Sequence, residues 1–233
     1  MNKRELESLI ASAVNDAELR SDEIPPIELY VDQIINLHTE KLKEGDARFH
    51  DRQITKTMIN NYAKDRVITP VKGKKYTKEQ IIQILTVYTL KGTLSIGEIK
   101  RFLDGAYSIE GFDAASLTAL YDKYCDTKEK NRELSAKIVS DMIDSNGLDV
   151  ENDEDFLVTL ASIVSISAFM KNIAQAMIDE KFPPIDEDEK DKKDKDDKKS
   201  KEKQKKEKSK KDEKKSKKPE EVVPSIEGMT AWN

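Results

Sequence analysis

The chain has 233 residues, 41 basic and 46 acidic side chains, a net charge of −5, one cysteine and two histidines. A lone thiol excludes an internal disulfide and two histidines leave no imidazole cluster, so neither metal nor cofactor is expected and a reducing, cytoplasmic setting fits. The net charge conceals a partition: 3 basic and 9 acidic side chains over 1–40, 14 and 6 over 41–101, 7 and 16 over 102–182, and 17 and 15 over 183–233. A basic block between acidic ones is the electrostatic footprint of a phosphate-binding surface.

Residues 1–24 carry weak helical periodicity through Leu6, Leu9, Ile10 and Val14 and read as a mobile or loosely docked helix. They contain no apolar stretch of signal-peptide type. Pro25 and Pro26 mark a boundary. From there Ile27, Tyr30, Val31, Ile34, Ile35 and Leu42 predict a helix over 26–43, with His38 as a satisfied core or boundary histidine. After a polar loop, Thr55 is an N-cap for a helix over 55–66. Met58, Ile59 and Tyr62 occupy one side of that helix; Lys56, Thr57, Asn60, Asn61 and Lys64 occupy the other. Residues 70–76, with Val71 and Tyr76 flanking Lys72, Lys74 and Lys75, fit a small β-wing. Thr77-Lys78-Glu79-Gln80 and Ser95-Ile96-Gly97-Glu98 are two capping boxes, each opening a helix.

Residues 105–182 predict two longer helices, over 113–144 and 153–180, the first with a stripe from Leu117 and Leu120 to Leu134 and Met142. The second has acids in its first turn, facing the positive end of the helix dipole. Its Ala and Ser content allows close helix approach, which leaves a homodimer and an intramolecular bundle both open. The most apolar run, Phe156–Met170, is shorter than the roughly 20 residues of a bilayer span and reads as a buried helix, with no membrane partner. From 183 the Lys-, Asp- and Glu-rich composition cannot bury enough apolar surface to offset its ordering entropy, which predicts a disordered tail. Its end turns apolar again around Trp232, a candidate docking peptide for a protein partner.

The stretch Ile54–Pro70, followed by Gly73-Lys74-Lys75-Tyr76-Thr77 and Leu94-Ser95-Ile96-Gly97-Glu98-Ile99, resembles the MerR family of DNA-binding regulators. Tyr62 matches the tyrosine closing the family's recognition helix, Val67-Ile68 its apolar pair, Tyr76 the last tyrosine of its wing, and Ser95–Ile99 its closing step. Asn60 stands where the family usually has arginine, and Lys74 and Lys75 stand where a Tyr-Arg pair is common. The wider stretch 25–181 also looks like an uncharacterised bacterial family with a MerR-like domain. The resemblance implies an all-α fold: a winged helix-turn-helix over 25–104, then a helical hairpin or bundle.

Side-chain chemistry points the same way. Asn60 and Asn61 can bond bidentately to adenine in the major groove of double-stranded DNA. Lys56 and Thr57 lie at the helix end that usually meets bases, and Lys64 lies on the same face. Lys72, Lys74 and Lys75 are suited to phosphates, which set position but not sequence. The expectation is therefore a sequence-specific transcriptional regulator. The alternative is a protein-interaction adaptor that uses the same fold without binding DNA. No Gly-rich phosphate loop and no Ser/His/Asp or Cys/His grouping points to an enzyme.

Overall fold

The computed structural model describes residues 1–184. Residues 1–183 form one compact unit. The expected disordered tail and the Trp232 docking peptide lie outside the described residues.

The fold is mostly helical. In chain order it comprises α1 (Lys3–Val14), β1 (Leu29–Tyr30), α2 (Val31–Leu42), α3 (Lys56–Lys64), β2 (Lys75–Tyr76), α4 (Lys78–Leu90), α5 (Ile96–Tyr107), α6 (Ala114–Asn146) and α7 (Asp153–Lys181). Short 3-10 turns at Ser21–Glu23 and Ala47–Phe49 punctuate the connections before β1 and before α3.

Local signals set most helix starts. The Thr77 hydroxyl accepts the Gln80 N–H at 3.3 Å while the Gln80 amide oxygen accepts the Thr77 N–H at 3.0 Å, so two orphan donors of α4 are satisfied reciprocally. Ser95 and Glu98 do the same for α5. Asp113 caps α6, and Gly147 ends it in the left-handed conformation, at φ 62°.

α4 is the central helix. Ile81, Ile82, Ile84, Leu85 and Val87 are buried on several sides, against Ile34 of α2, Ile59 of α3, Ile99 and Leu103 of α5, and Leu117 and Tyr121 of α6. Leu19 and Ile24 join the same core, and the Tyr121 hydroxyl donates to the Leu19 carbonyl at 2.8 Å. Lys128 pairs with Asp16 and Glu18, and Arg132 donates to the Asp16 carbonyl, so ion pairs reinforce the attachment of the N-terminal segment to α6.

Three expectations require correction. The helix predicted from 26 begins at Val31; Leu29–Tyr30 is extended and pairs antiparallel with Lys75–Tyr76, Leu29 opposite Tyr76 and Tyr30 opposite Lys75. Ile27 and Tyr30, expected in the core, are consequently exposed. The segment 70–76 is therefore not a hairpin closed on itself, because its one strand finds its partner in front of α2. Nor is Phe156–Met170 a buried helix. It lies within α7, where Leu157, Val158, Leu160, Val164, Phe169 and Ile173 are 49–62% exposed. Among the described residues α7 is also the one helix long and apolar enough to cross a membrane. Among the described residues only Thr159 and Ile178 of α7 are fully buried, because α7 meets the described body along one face.

His38 is in the core, as expected, but it is not satisfied. It is 5% exposed, its ring meets Tyr88 edge-on at 4.7 Å, and its Nδ1 has no hydrogen-bond partner among the described residues. Burial, and then the nearby Lys91 charge, push its pKa down to about 4. Unfolded, the imidazole takes up a proton near pH 6.5. Between those values the unfolded chain binds more protons, so acidification destabilises the fold. His38 should contribute a loss on the order of 3 kcal/mol between pH 6.5 and 4, none of it present above pH 7. Urea titrations across this window should give a visibly flatter stability–pH profile for His38→Leu than for the parent; identical slopes would contradict the assignment.

Candidate nucleic-acid interface

α3 is a nine-residue helix fixed at both ends. At its start the Thr55 hydroxyl accepts the Met58 N–H at 3.2 Å. At its end the Val67 N–H bonds back to the Tyr62 carbonyl at 2.9 Å and the Arg66 N–H to the Ala63 carbonyl at 3.2 Å. This is the two-bond closure that usually employs glycine. Here Arg66 adopts the left-handed conformation, at φ 55°, which is costly for a residue with a Cβ.

The two sides of α3 are chemically opposite. Ile59 and Tyr62 are buried against the core, with Met58 and Ala63 half-buried beside them. Lys56, Thr57, Asn60, Asn61 and Lys64 are all exposed. Their spacing of one, three, one and three residues places them on one continuous face.

The chain leaving α3 is held by two buried glutamines of α4. The Gln80 amide donates to the carbonyls of Thr69 at 3.3 Å and Pro70 at 3.0 Å. The Gln83 amide oxygen accepts the Thr69 N–H at 2.8 Å and its hydroxyl at 3.2 Å, and the Gln83 nitrogen donates to the Tyr107 hydroxyl at 2.6 Å. Beyond this clamp the chain turns at Gly73, where φ is +84°. Lys72, Lys74 and Lys75 are exposed around that turn, and the Lys75 ammonium lies 5.1 Å above the Tyr30 ring. The eight residues singled out in the sequence thus fall on one exposed helix face and the short loop that follows it.

Their electrostatic setting differs from that of the cations that join elements. Lys41 contacts Glu23 and Glu44 at 2.6 Å, and Arg101 contacts Asp179 at 2.7 Å. Lys56, Lys64, Lys72, Lys74 and Lys75 have no carboxylate within 4.0 Å among the described residues. Five unpaired cations around an exposed amide pair constitute a surface ready for an anion.

Motif reading passed over three further cations. Arg52 stacks over Phe49 at 4.8 Å just ahead of α3. Lys91 lies 4.9 Å over the Tyr88 ring and reaches the Met58 sulfur at 3.2 Å, beside the first turn of α3. Lys100 donates to the Arg66 carbonyl at 2.5 Å, at the far end of that helix. All three fall inside the basic block 41–101, so the charge partition held a signal that attention to a single helix missed.

The described residues contain no group of three His, Cys, Asp or Glu side chains placed to hold a metal ion. Cys125 is buried on α6, and burial pushes its thiol up, away from the thiolate form that a nucleophile needs.

Residues 19–124 match DUF1836, a domain of unknown function. DUF1836 therefore takes in every element of the candidate interface and the core behind it, over slightly less than half of the chain. No curated protein and no solved structure matches.

The clamp has a measurable consequence within the DUF1836 match. Gln83→Leu fills the same space but strips the Thr69 N–H of its acceptor, at a cost of about 1–3 kcal/mol. Urea unfolding should show that loss, and amide exchange should quicken over 69–76. Unchanged exchange in that loop would mean that Gln83 does not hold it.

Proposed function

We propose that the protein is a cytoplasmic, sequence-specific regulator of transcription that binds double-stranded DNA through a winged helix-turn-helix of MerR type. α2 and α3 supply the two helices. α3 enters the major groove with Lys56, Thr57, Asn60 and Asn61 toward base edges and Lys64 toward the backbone. Lys72, Lys74 and Lys75 hold phosphates beside it. The observation that carries this reading is the division of α3. One face is anchored by Ile59 and Tyr62, and the other presents amides and cations that no carboxylate of the described residues neutralises.

The physical logic is that of a positioned reader. Base recognition requires a helix held rigidly enough for Asn60 and Asn61 to meet an adenine edge. The buried side chains and the two glutamines supply that rigidity. Neutralising phosphates supplies affinity without sequence preference, through release of condensed counterions. A Lys-rich turn beside an Asn-bearing helix divides the two tasks between two elements.

The division of labour gives two separable expectations. Lys74→Ala with Lys75→Ala should weaken binding to all duplexes alike and reduce the slope of log affinity against log salt by about 2, at roughly 0.9 per phosphate contact. Asn60→Ala should leave the salt slope unchanged and relax the preference at one base pair, at about 1–3 kcal/mol of discrimination. Fluorescence-anisotropy titrations at two salt concentrations measure both. Parent-like binding by both variants would remove the assignment of helix and loop. An absence of any isotherm for the parent at low salt would favour the adaptor instead.

A further inference from the structure

We infer that the cleft beside the first turn of α3 binds a small aromatic monocarboxylate, with Arg52 and Lys91 as the cations that hold its carboxylate group. The inference stands independently of DNA binding, because it rests on a different surface: Met58, which lines the cleft, belongs to the inward side of α3.

Several parts of the chain meet here: the 16–18 segment, the end of α2 with the turn beyond it, the start of α3, the end of α4, and Lys128 of α6. The cleft has a volume of about 370 Å³, within the range of small-molecule sites. Leu42 and Phe49, both buried, and Met58 and Tyr88, both half-buried, give it an apolar side.

Arg52 and Lys91 are already posed on that side. The Arg52 N–H bonds to the Phe49 carbonyl at 3.0 Å, closing the turn that sets the guanidinium 4.8 Å over the Phe49 ring. Lys91 follows the last turn of α4, its N–H bonded to the Val87 carbonyl at 3.0 Å. Its ammonium lies 4.9 Å over the Tyr88 ring and 3.2 Å from the Met58 sulfur. The Tyr88 hydroxyl donates to the Arg52 carbonyl, which ties the two cation–ring pairs together. Neither cation has a carboxylate within 4.0 Å among the described residues. Lys91 is half-buried, and burial pushes its ammonium below the ordinary lysine value. Its charge is therefore short of water as well as unpaired, and a bound anion would make good both deficits.

Charge and shape set the ligand class. Asp16, Glu18 and Asp51 also line the cleft. Lys128 engages the first two and Arg132 reaches Asp16, while Asp51 is exposed. These carboxylates repel a phosphate dianion or a polyphosphate more strongly than a single negative charge, so the cleft suits a monoanion delivered at Arg52 and Lys91. The planar guanidinium fork matches a carboxylate, which can take two parallel hydrogen bonds from it. The remainder of the ligand lies against Leu42, Phe49 and Met58 and is therefore apolar, and a thioether beside it favours an aromatic body over an aliphatic one.

Calorimetric titration of the full chain with naphthoate is the test. One molecule should bind per chain. Arg52→Gln and Lys91→Gln should each raise the dissociation constant about tenfold or more, the loss expected of a charge-assisted hydrogen bond. Arg52 is exposed, so Arg52→Gln should keep the far-UV signal and thermal midpoint of the parent. Naphthamide, of the same shape but without the charge, should bind at least about tenfold more weakly, and inorganic phosphate should fail to displace naphthoate. In spectra of carbon-labelled methionine methyl groups, the Met58 signal, assigned with Met58→Leu, should shift with the calorimetric midpoint. No saturable binding of naphthoate, or equal affinity in Arg52→Gln and the parent, would overturn the inference. So would equal affinity for naphthamide, displacement by phosphate, or a Met58 signal that stays fixed while naphthoate binds.

Discussion

Gln83 is 1% exposed in the middle of an otherwise aliphatic layer, and three parts of the fold converge on it. Its oxygen holds Thr69, where the chain leaves α3; its nitrogen holds Tyr107, at the end of α5; and its backbone is α4. Tyr107 passes the chain of bonds on to Glu79 at 2.6 Å. A polar group hydrogen-bonded through both ends of its amide in an apolar layer fixes register more sharply than another isoleucine would, because any displacement leaves a buried donor or acceptor without a partner. Without that clamp α3 would still bury Ile59 and Tyr62. The Lys72–Lys75 segment would lose its fixed relation to the polar face of α3, and with it the continuity of the cationic surface.

The fold keeps its cations in two populations. Some join elements together: Lys41 pairs with Glu23, Arg20 with Asp126, and Lys128 with Asp16 and Glu18. Lys56 and Lys64 on α3, and Lys72, Lys74 and Lys75 in the loop beyond Thr69, have no carboxylate partner among the described residues. Self-repulsion among unpaired lysines opposes folding, so the arrangement has a cost that an anionic partner would relieve. Arg66 adds a second cost at the same place, being held in a backbone conformation that glycine would take without strain. Local expense concentrated on an exposed helix is the pattern expected where binding, and not packing, selects the residues.

How much of this was legible in the sequence depended on range. The caps at Thr55, Thr77 and Ser95 stand where the sequence predicts them, because each is decided within four residues. The exposed face of α3 formed by Lys56, Thr57, Asn60, Asn61 and Lys64 was legible, because the polar side of a short amphipathic helix is read from spacing alone. The pairing of Leu29–Tyr30 with Lys75–Tyr76 was not: it joins two-residue strands 46 positions apart, and the helical spacing of Ile27, Tyr30 and Ile34 masked it. Burial of Gln80 and Gln83 was equally hidden, since glutamine is a surface residue by default and only the tertiary fold supplies the partners. α7 misled for a different reason. Apolar residues on every side of a helix predict burial, but composition does not say by what, and the described residues cover only one face.

The most direct test of DNA recognition is a selection from random genomic fragments with the full chain, followed by affinity measurements on the enriched sequence at two salt concentrations. Enrichment of a short motif, with log affinity falling steeply against log salt, is the result the account predicts. Failure to enrich any sequence, together with no binding at low salt, would contradict it and turn the cationic face of α3 toward an acidic protein surface.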